Sequence, residues 1–367
     1  MNGLFVGPYR QNDGWGIATR DYIKAINTQI ENLSCRPLYY INKLFNDLDS
    51  TIHSCENKNF KKCDVIFQQC LPQSFAPNNY AKNIGITMLE TNDLSKSIGP
   101  KVINELDEIC VPSKQEAKCL IQSGVKIPIK VISQPIDIEF FKKNIDHKIS
   151  VNNTIIDNSF KFYTIGEMVY RKNLYDIITA FNLAFKNTDN VSLIIKTNQP
   201  ANEVQEKIQE WKKRLKLRAQ YRQEVIISDR LSDLDLLGLH NYCDCFVSAS
   251  YGESFCRPAA EALVLGKTPI VTGNTGMVDF INNDNGYVIQ SKKTPVIPDN
   301  SALSSEFDSY NAYEHWYQPN VYQLADRMKD IYNMSRKNKQ QYQEKKNLGI
   351  ESIEQFSYEN IGKKICD

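Results

Sequence analysis

Short apolar runs alternate with helical patterns along most of the chain, an order typical of parallel β-sheets covered by helices. In the first half, five apolar runs are predicted to be buried strands: GLFVGP, CDVIFQQC, KNIGITMLE, DEICVPS and IKVISQP. Between the last two runs, a helix that ends at Gly124 is predicted by KQEAKCLIQSGV. This half of the sequence therefore predicts a doubly wound α/β domain.

The alternation stops at residues 142–159, a polar and asparagine-rich stretch that we expect to link two domains. It restarts at residue 160 and predicts a second doubly wound domain. Residues 294–320 have no period and predict an irregular excursion, and helices over 321–338 and 340–356 follow. Ligands of open parallel sheets bind beyond the carboxyl ends of the strands, so we expect two Rossmann-like domains that face each other across a cleft containing the active site.

The composition narrows the class of protein without identifying a substrate. The chain has 44 basic and 43 acidic residues, and its net charge of +1 gives no overall attraction for nucleic acid or an anionic bilayer. There is no secretory signal and no run of about 18 apolar residues, and ten cysteines without a C-x-x-C pair indicate reduced thiols. We therefore expect a cytoplasmic protein without a transmembrane segment. The four histidines stand too far apart to predict a zinc site.

Two glutamates, Glu253 and Glu261, stand eight positions apart in SYGESFCRPAAEALVLGKTPIV, between a predicted buried strand and a predicted helix. Backbone N–H groups at the start of this helix, near Phe255, Cys256 and Arg257, favour an anion such as a diphosphate. A carboxylate accepts hydrogen bonds from hydroxyl groups, so Glu253 is a candidate for sugar hydroxyls and Glu261 for a ribose diol. Alternatively, Glu261 is an acid that complements the helix dipole, which leaves Glu253 unexplained.

The same segment resembles the E-x7-E segment of retaining glycosyltransferases of the GT-B fold, a group that includes many family 4 sugar transferases. In its usual form, E-G-F-G-x-P-x-x-E-A-x-A-x-G-x-P-V-I, two glycines occupy the positions of Ser254 and Cys256. The resemblance implies a transferase (EC 2.4) that moves a sugar from a nucleotide diphosphate sugar to an acceptor hydroxyl with retention of configuration. It also implies that the segment from Ser254 to Arg257 lines the donor site. The matching positions are Phe255, Pro258, Glu261, Ala262, Gly266 and Pro269.

A second segment, FYTIGEMVYRKNLYDIITAF, resembles the strand, phosphate-binding loop and helix of the same family. Lys172 takes the position of a basic residue that contacts the donor diphosphate, and Arg171 beside it suits a bidentate phosphate contact. The arginine often found directly after the loop glycine is Glu167 here, so Arg171 is the candidate substitute. Cations at a helix start oppose the helix dipole, and an anionic ligand would relieve that conflict. The alternative is a solvated basic pair.

Further positions are assigned by the resemblance. It places Glu90, in TMLETNDLSK, in the cleft, and it places Arg230 and Leu231 in the loop that contacts the nucleotide base. The loop GPYRQNDGWG resembles the family's glycine-rich loop, whose backbone comes close to the donor phosphates or the acceptor, and Gly14 and Gly16 give the freedom for that approach. A lone G-x-G is also compatible with a plain turn.

The last segment, IEQFSYENIGKKICD, resembles the terminal helix that crosses from the second domain of this fold back to the first. Its apolar residues have helical spacing, so we expect a docked helix rather than a free tail. These residues are Ile353, Phe356, Ile361 and Ile365. We predict an acceptor-side domain of residues 1–137 plus 351–367 and a nucleotide-sugar donor domain of residues 138–350.

The resemblance implies a metal-independent reaction without a cofactor, in which basic residues and a helix start stabilise the leaving diphosphate. The DLD run invites a metal-binding interpretation, but Ser232 before Asp233 and Asp235 has the pattern of a helix cap. Alternative functions are a catalytically decayed nucleotide-sugar-binding protein and another nucleotide-sugar enzyme of the same fold. The expected partners are a nucleotide-sugar donor and a glycan or other hydroxyl acceptor, and the near-neutral charge disfavours a nucleic-acid acceptor.

Overall fold

The computed structural model describes residues 1–40, 45–59, 62–149, 158–216, 224–297 and 313–367. Within it the chain divides into two compact units. Unit 1 comprises Met1–Ile138, Tyr313–His315 and Gln355–Asp367, and unit 2 comprises Glu139–Ala312 and Trp316–Glu354. Parts of the predicted link and of the predicted irregular segment, residues 150–157 and 298–312, lie outside the described residues.

Unit 1 is built on a six-stranded parallel sheet. Its strands are β1 (Asn2–Gly7), β2 (Asn32–Pro37), β3 (Val65–Gln69), β4 (Lys82–Ile86), β5 (Glu108–Val111) and β6 (Ile129–Val131). Its helices include α1 (Gly14–Asn27), α2 (Ser50–Asn57), α3 (Gly99–Ile103) and α4 (Lys114–Gln122). The strand order is β2-β1-β3-β4-β5-β6, so the winding reverses between β1 and β3, as in a doubly wound sheet.

The predicted apolar runs form the core of unit 1, because strands of a parallel sheet are buried on both faces. Every residue of β3 and β5 is buried. The edge strand β2 was not predicted, since its sequence NLSCRP is largely polar; it pairs with β1 from Asn2↔Asn32 to Gly7↔Pro37. The sequence pattern identifies buried strands more readily than an edge strand of this kind.

Unit 2 contains a second six-stranded parallel sheet. Its strands are β7 (Phe160–Ile165), β8 (Val191–Lys196), β9 (Val225–Ile227), β10 (Cys245–Ser248), β11 (Ile270–Thr272) and β12 (Tyr287–Ile289). The order is β12-β11-β10-β7-β8-β9, which reverses between β7 and β10. This order is that of a dinucleotide-binding Rossmann sheet. Both predicted Rossmann-like sheets are thus confirmed.

The remaining helices follow the predicted pattern closely. They are α5 (Ile138–Lys143), α6 (Leu174–Ala184), α7 (Ala201–Arg214), α8 (Asp233–Tyr242), α9 (Arg257–Val264), α10 (Val321–Lys337), α11 (Lys339–Ile353) and α12 (Tyr358–Cys366). A two-stranded sheet is formed by β13 (Ser291–Pro295) and β14 (His315–Pro319). The prediction of irregular structure is therefore wrong for residues 294–295 and 315–319. These strands are formed by main-chain pairing, which needs no apolar period.

The C-terminal helix α12 packs against α1 within unit 1. Ile361 and Ile365 are buried there, and Ile353 and Phe356 are buried as well, so the predicted apolar face is confirmed. All ten cysteines are free thiols, as predicted. No helix in the described ranges has both the length and the apolar character that crossing a bilayer requires.

Candidate functional site

Two loops meet at the switch point of the unit 2 sheet, where β7 and β10 lie side by side. The loop after β7 passes through a 3-10 turn, Tyr170–Lys172, into α6, and the loop after β10 leads into α9. Both loops leave the carboxyl ends of parallel strands, which is where open α/β sheets bind ligands. The first loop carries Arg171 and Lys172, and the second carries Glu253.

Glu253 interacts with both basic residues of the other loop. Its Oε1 lies 2.6 Å from Lys172 Nζ and 3.3 Å from Arg171 Nη1. The exposed fraction of the side chain is only 5% for Glu253, 27% for Lys172 and 13% for Arg171. Contacts between charges at such low exposure are only weakly screened by solvent. The structure therefore brings together three of the four residues predicted to be catalytic.

The carboxyl of Glu253 is held in its ionised form by its neighbours. Burial raises its pKa, but the charges of Lys172 and Arg171 outweigh burial, so the pKa lies below its ordinary value. From the sequence we expected an external anion to offset the unfavourable interaction of Lys172 and Arg171 with the dipole of α6. The structure shows that the carboxylate of Glu253 already opposes these two charges, and the pair is not merely solvated.

Hydrogen bonds to main-chain carbonyls fix the two loops to each other and to a third one. Arg171 Nη1 donates to the carbonyl of Gly252 at 2.7 Å, and the N–H of Tyr251 donates to the carbonyl of Arg171 at 2.8 Å. The N–H of Gly276 donates to the carbonyl of Glu253, also at 2.8 Å. Sequence reasoning missed Gly276, although the run GNTG after β11 was a signal for a tight loop at the same edge of the sheet.

The helix α9 begins after Cys256, which has left-handed backbone geometry with a φ of 70° and makes no side-chain cap bond. By contrast, Ser113 caps α4 and Ser232 caps α8 through their hydroxyl oxygens. In the first turn of α9, Pro258 has no N–H, and the N–H groups of Ala259 and Ala260 donate to the carbonyl of Cys256 at 3.0 and 3.4 Å. The positive end of the helix dipole at this start favours an anion. Left-handed geometry suits glycine, which is the customary residue at this position in the family that the sequence resembles.

The other residues of this turn differ in what their side chains do. Ser254 and Phe255 are buried. The ring of Phe255 packs against Phe280 with the centroids 4.9 Å apart, so this side chain belongs to the core and only its main chain is suited to contact a donor. Arg257 is mostly buried as well, and its Nη2 lies 3.4 Å from Oε1 of Glu261.

Glu261 lies in the second turn of α9 with an exposed fraction of 7%. The first turn of α9 contains no acid, so the helix-dipole interpretation does not account for Glu261. Its Oε2 lies 3.5 Å from Nε2 of the fully buried His240. Burial raises the pKa of Glu261, but His240 and Arg257 outweigh burial, so the pKa lies below its ordinary value. Sequence reasoning missed His240, because one isolated histidine in a helix gives no signal of its partners.

The residues predicted to contact the base lie in the loop after β9, where Arg230 is exposed and Leu231 is half-buried. At the end of the neighbouring strand β8 stands Lys196, which is buried and whose Nζ donates to Asn198 Oδ1 at 2.8 Å. Burial lowers the pKa of Lys196, while the charge of Asp229 in the loop after β9 acts in the opposite direction. Lys196 is a third residue, after Gly276 and His240, that the sequence analysis did not single out.

A shallow cavity opens at the ends of β7, β8 and β10. Its lining includes Gly166, Glu167, Lys172, Glu253 and Cys256. Glu167 is exposed and stands at the position where the resembled family often has an arginine. The cavity therefore combines two acids with one member of the basic pair, Lys172.

The other predicted site residues belong to unit 1. Gly14 and Gly16 lie at the start of α1, and neither has left-handed backbone geometry. A Cβ on Gly16 would lie 2.0 Å from the carbonyl oxygen of Gln11, whereas a Cβ on Gly14 would meet no atom within 4 Å. Gly16 is therefore required for close packing of this loop rather than for an unusual φ. Glu90 follows β4 and is half-buried.

The glycine-rich loop of unit 1 is anchored by an ion pair that sequence reasoning missed. Arg10 makes a bidentate contact with Glu56, with Nε 2.8 Å from Oε1 and Nη2 2.6 Å from Oε2. The hydroxyl of Tyr9 donates to the same carboxylate at 2.8 Å. The two segments are separated by 46 positions, so no local pattern connects them. Bidentate geometry makes this one of the stronger classes of ion pair.

The aspartates of the DLD run have a structural role, as predicted. Asp233 and Asp235 stand in the first turn of α8, and the N–H of Asp235 donates to the hydroxyl oxygen of Ser232 at 3.1 Å. Among the described residues, no group of three or more His, Cys, Asp or Glu side chains is arranged to hold a metal ion.

Comparison with known proteins relates this geometry to a family. Residues 146–297 match the family model of glycosyl transferases group 1. Among solved structures, TarM of S. aureus has a TM-score of 0.58 and 17% identity over 82% of this chain and 54% of its own, so this chain spans about half the length of TarM. No curated protein sequence matches the chain significantly.

Two further structures cover all of this chain. HepE from Anabaena, in complex with UDP and glucose, has a TM-score of 0.63 and 15% identity, and 98% of its own chain is covered. The trehalose-6-phosphate structure from E. coli with bound UDP-2-fluoro glucose has a TM-score of 0.67 and 7% identity, with 98% covered. Residues 146–297 are therefore similar to the glycosyl transferases group 1 family, and the chain has the GT-B fold with two Rossmann-like sheets.

Proposed function

We propose that this chain transfers a sugar from a nucleoside diphosphate sugar to an acceptor hydroxyl with retention of configuration. The observation that carries the proposal is the contact of Lys172 and Arg171 with Glu253 beside the uncapped start of α9. Two cations and the positive end of the α9 dipole suit a diphosphate, and a carboxylate suits the hydroxyl groups of a sugar. Glu261 is our candidate for the ribose diol.

In the proposed reaction the bond from the anomeric carbon to the diphosphate oxygen breaks, and a bond to the acceptor oxygen forms on the same face. The leaving diphosphate gains negative charge, which Lys172, Arg171 and the positive end of the α9 dipole stabilise where it develops. The acceptor hydroxyl transfers its proton to the departing phosphate oxygen. This arrangement needs no resident metal or cofactor, and we expect turnover to persist in the presence of EDTA.

Uridine diphosphate is the nucleotide we propose to test first. HepE and TarM were solved with bound UDP, and both share the fold of this chain. We propose a cytoplasmic enzyme, because ten free thiols fit a reducing compartment. The roles of Gly14, Gly16, Glu90, Arg230 and Leu231 in binding remain predictions, as does a glycan or another hydroxyl compound as the acceptor.

The first experiment is a thermal-shift panel with UDP, GDP and ADP, followed by incubation with the matching nucleotide sugars. A ligand at about 100 times its Kd adds ~2.7 kcal/mol of stability, which gives a clear shift in Tm. Slow release of the nucleoside diphosphate from a nucleotide sugar would support a transferase, since water can replace the acceptor. If none of the three nucleotides stabilises the protein, the proposed donor site is wrong.

The two glutamates give a second test of the site. We expect Glu261→Ala to weaken binding of the bare nucleoside diphosphate and Glu253→Ala to lower mainly the turnover of the nucleotide sugar. The reason is that Glu261 is assigned to the ribose, whereas Glu253 is assigned to the transferred sugar. Equal nucleotide affinity of Glu261→Ala and the unaltered chain would remove the ribose role.

A second candidate function is nucleotide-sugar binding without catalysis. The observation that favours it is Glu167, an exposed acid in the cavity at the position where an arginine is customary in the family. An acid there would repel the charge that develops on the leaving diphosphate. Binding of a nucleotide sugar without any release of nucleotide or transfer of sugar would support this alternative. Gain of turnover in Glu167→Arg would identify the lost function.

A further inference from the structure

We propose that His240 is a positioning residue, which holds the carboxylate of Glu261 in the orientation that receives the ribose diol of the donor. The inference rests on the proposed function, because it takes the ribose role of Glu261 as its starting point. It concerns a residue of α8 that lies beneath the site and is itself fully buried.

Three elements of unit 2 meet at His240. Its Nδ1 lies 2.6 Å from the hydroxyl oxygen of Tyr163 on β7, and its Nε2 lies 3.5 Å from Oε2 of Glu261 on α9. Tyr163 is also fully buried, and its ring meets the imidazole edge to face with the centroids 5.3 Å apart. The imidazole is therefore wedged between the sheet and the carboxylate.

The chemistry of the partners determines where the ring hydrogen stands. A carboxylate only accepts hydrogen bonds, so the nitrogen that faces it, Nε2, has to carry a hydrogen. In the neutral ring Nδ1 is then the bare nitrogen, and the hydroxyl of Tyr163 donates to it. The carboxylate of Glu261 thus selects the tautomer with an N–H at Nε2, and the hydroxyl of Tyr163 is compatible with it because it can donate to Nδ1.

The contact between His240 and Glu261 distinguishes this arrangement from an ordinary buried histidine. Among the described residues, Nε2 of His240 makes no hydrogen bond of ordinary length, and its nearest acidic oxygen is Oε2 of Glu261. Nη2 of Arg257 is at a similar distance from the other carboxylate oxygen, 3.4 Å from Oε1. Each oxygen of Glu261 thus has one long contact, and each keeps acceptor capacity for a diol.

The test compares two variants and two ligands. The variant His240→Gln can place an amide N–H near the position of Nε2, whereas His240→Leu has no donor. Comparison of the two variants separates the hydrogen bond to Glu261 from the packing of the side chain. The ligands are the nucleoside diphosphate that stabilises the protein most among UDP, GDP and ADP, and its 2′,3′-dideoxy analogue. Calorimetry on the full chain gives Kd for each combination.

We expect His240→Leu to weaken binding of the ribonucleotide roughly tenfold and binding of the dideoxy analogue less than about twofold. The reason is that the hydrogen bond between the charged Glu261 and the diol exists only in the ribonucleotide complex. His240→Gln should restore affinity to within about threefold. Equal weakening of both ligands by His240→Leu would show a purely structural role and overturn the inference. If His240→Leu does not fold, the same comparison is made with Tyr163→Phe. If Tyr163→Phe binds both ligands with the same affinities as the unaltered chain, the inference is overturned.

Glu261→Gln provides the arm that tests the proposed function separately. If this variant does not discriminate the two ligands, the ribose role of Glu261 fails, whatever the result at His240. If Glu261→Gln discriminates and His240→Leu does not, only the positioning role fails. Nitrogen-15 spectra give an independent readout: we expect the resonances that disappear in His240→Gln to be those of an imidazole protonated at Nε2, and the Nδ1-protonated tautomer would contradict the inference.

Discussion

Lys172 Nζ and Glu253 Oε1 lie 2.6 Å apart, although they are separated by 81 positions and follow different strands. The strands β7 and β10 belong to opposite halves of the winding and are neighbours only at the switch point of the sheet. The pair therefore exists because the topology reverses there, and it marks the place where a ligand of this fold is expected. The same pair provides the two most direct tests of the site.

Lys172→Ala should raise the activation free energy of sugar transfer by about 2–4 kcal/mol, because one donor to the leaving diphosphate is lost. This corresponds to a turnover of the nucleotide sugar that is roughly 30-fold to 800-fold lower. The matched control is Lys207→Ala on α7, whose side chain is half exposed and pairs with Glu210 on the same helix. The measurement is kcat of both variants against the unaltered chain at equal folded fraction. Similar kcat values for Lys172→Ala and Lys207→Ala would contradict the assignment.

The stability difference between the unaltered chain and Glu253→Gln should depend on pH. The contacts with Lys172 and Arg171 hold the pKa of Glu253 below its ordinary value of 4.5 in the folded state. A carboxyl with a depressed pKa contributes stability that is fully present above the pKa of the unfolded chain and is lost as the pH falls through the folded pKa. The unaltered chain should therefore be the more stable at pH 7, with a difference that begins to shrink below a pH of about 4.5.

Urea unfolding of both proteins from pH 7 to pH 3.5 measures this difference. Glu206→Gln, which alters an exposed acid on α7, is the control and should follow the unaltered chain at every pH. A constant difference between Glu253→Gln and the unaltered chain over this range would show that the ionised carboxylate is not what stabilises the cluster.

The sequence was sufficient to predict the two sheets and the loops that bear the site, because buried parallel strands and their carboxyl ends leave a strong apolar pattern. Lys172, Arg171 and Glu253 were assigned to one ligand from local motifs, and the structure shows that they touch. The contact of Glu261 with His240 was not predictable. His240 reaches Glu261 from α8 and contacts Tyr163 of β7, and contacts between such distant segments depend on the packing of the sheet rather than on any local spacing.

The edge elements were missed for a related reason. The strand β2 is largely polar, and β14 lies in a segment without a period, so both are formed by main-chain pairing that sequence patterns represent poorly. Cys256 shows a different limit. The resemblance marked it as a replacement of glycine, but the left-handed geometry that makes glycine favourable there became evident only from the backbone.

Cys256→Gly should be more stable than Cys256→Ala by about 1 kcal/mol. Both variants remove the thiol, and only glycine accepts a φ of 70° without a clash between Cβ and the main chain. Urea unfolding of the two variants gives the difference directly, and the comparison cancels the loss of the thiol. If the alanine variant is equally stable or more stable, the start of α9 is not strained in the way that this geometry indicates.

Gly362→Ala should destabilise unit 1, although alanine is the better residue in the interior of a helix by roughly 1 kcal/mol. Gly362 lies in α12, where a Cβ would stand 2.1 Å from the carbonyl oxygen of Ala25 on α1 and 2.8 Å from Thr28 Oγ1. The main chain of α1 cannot yield as a side chain can, so the two helices have to separate. We expect a loss of about 1–3 kcal/mol, the range for overpacked cores.

The control for this prediction is Gly14→Ala at the start of α1, where a new Cβ meets no atom within 4 Å and restricts the unfolded chain instead. It should leave the Tm unchanged or raise it, while Gly362→Ala lowers the Tm by several degrees. Lys363→Ala, an exposed change in the next position of α12, separates the clash from any general sensitivity of this helix. A higher Tm in Gly362→Ala than in the unaltered chain would mean that α12 is not docked on α1. The higher helix propensity of alanine would then raise the stability without any clash to oppose it.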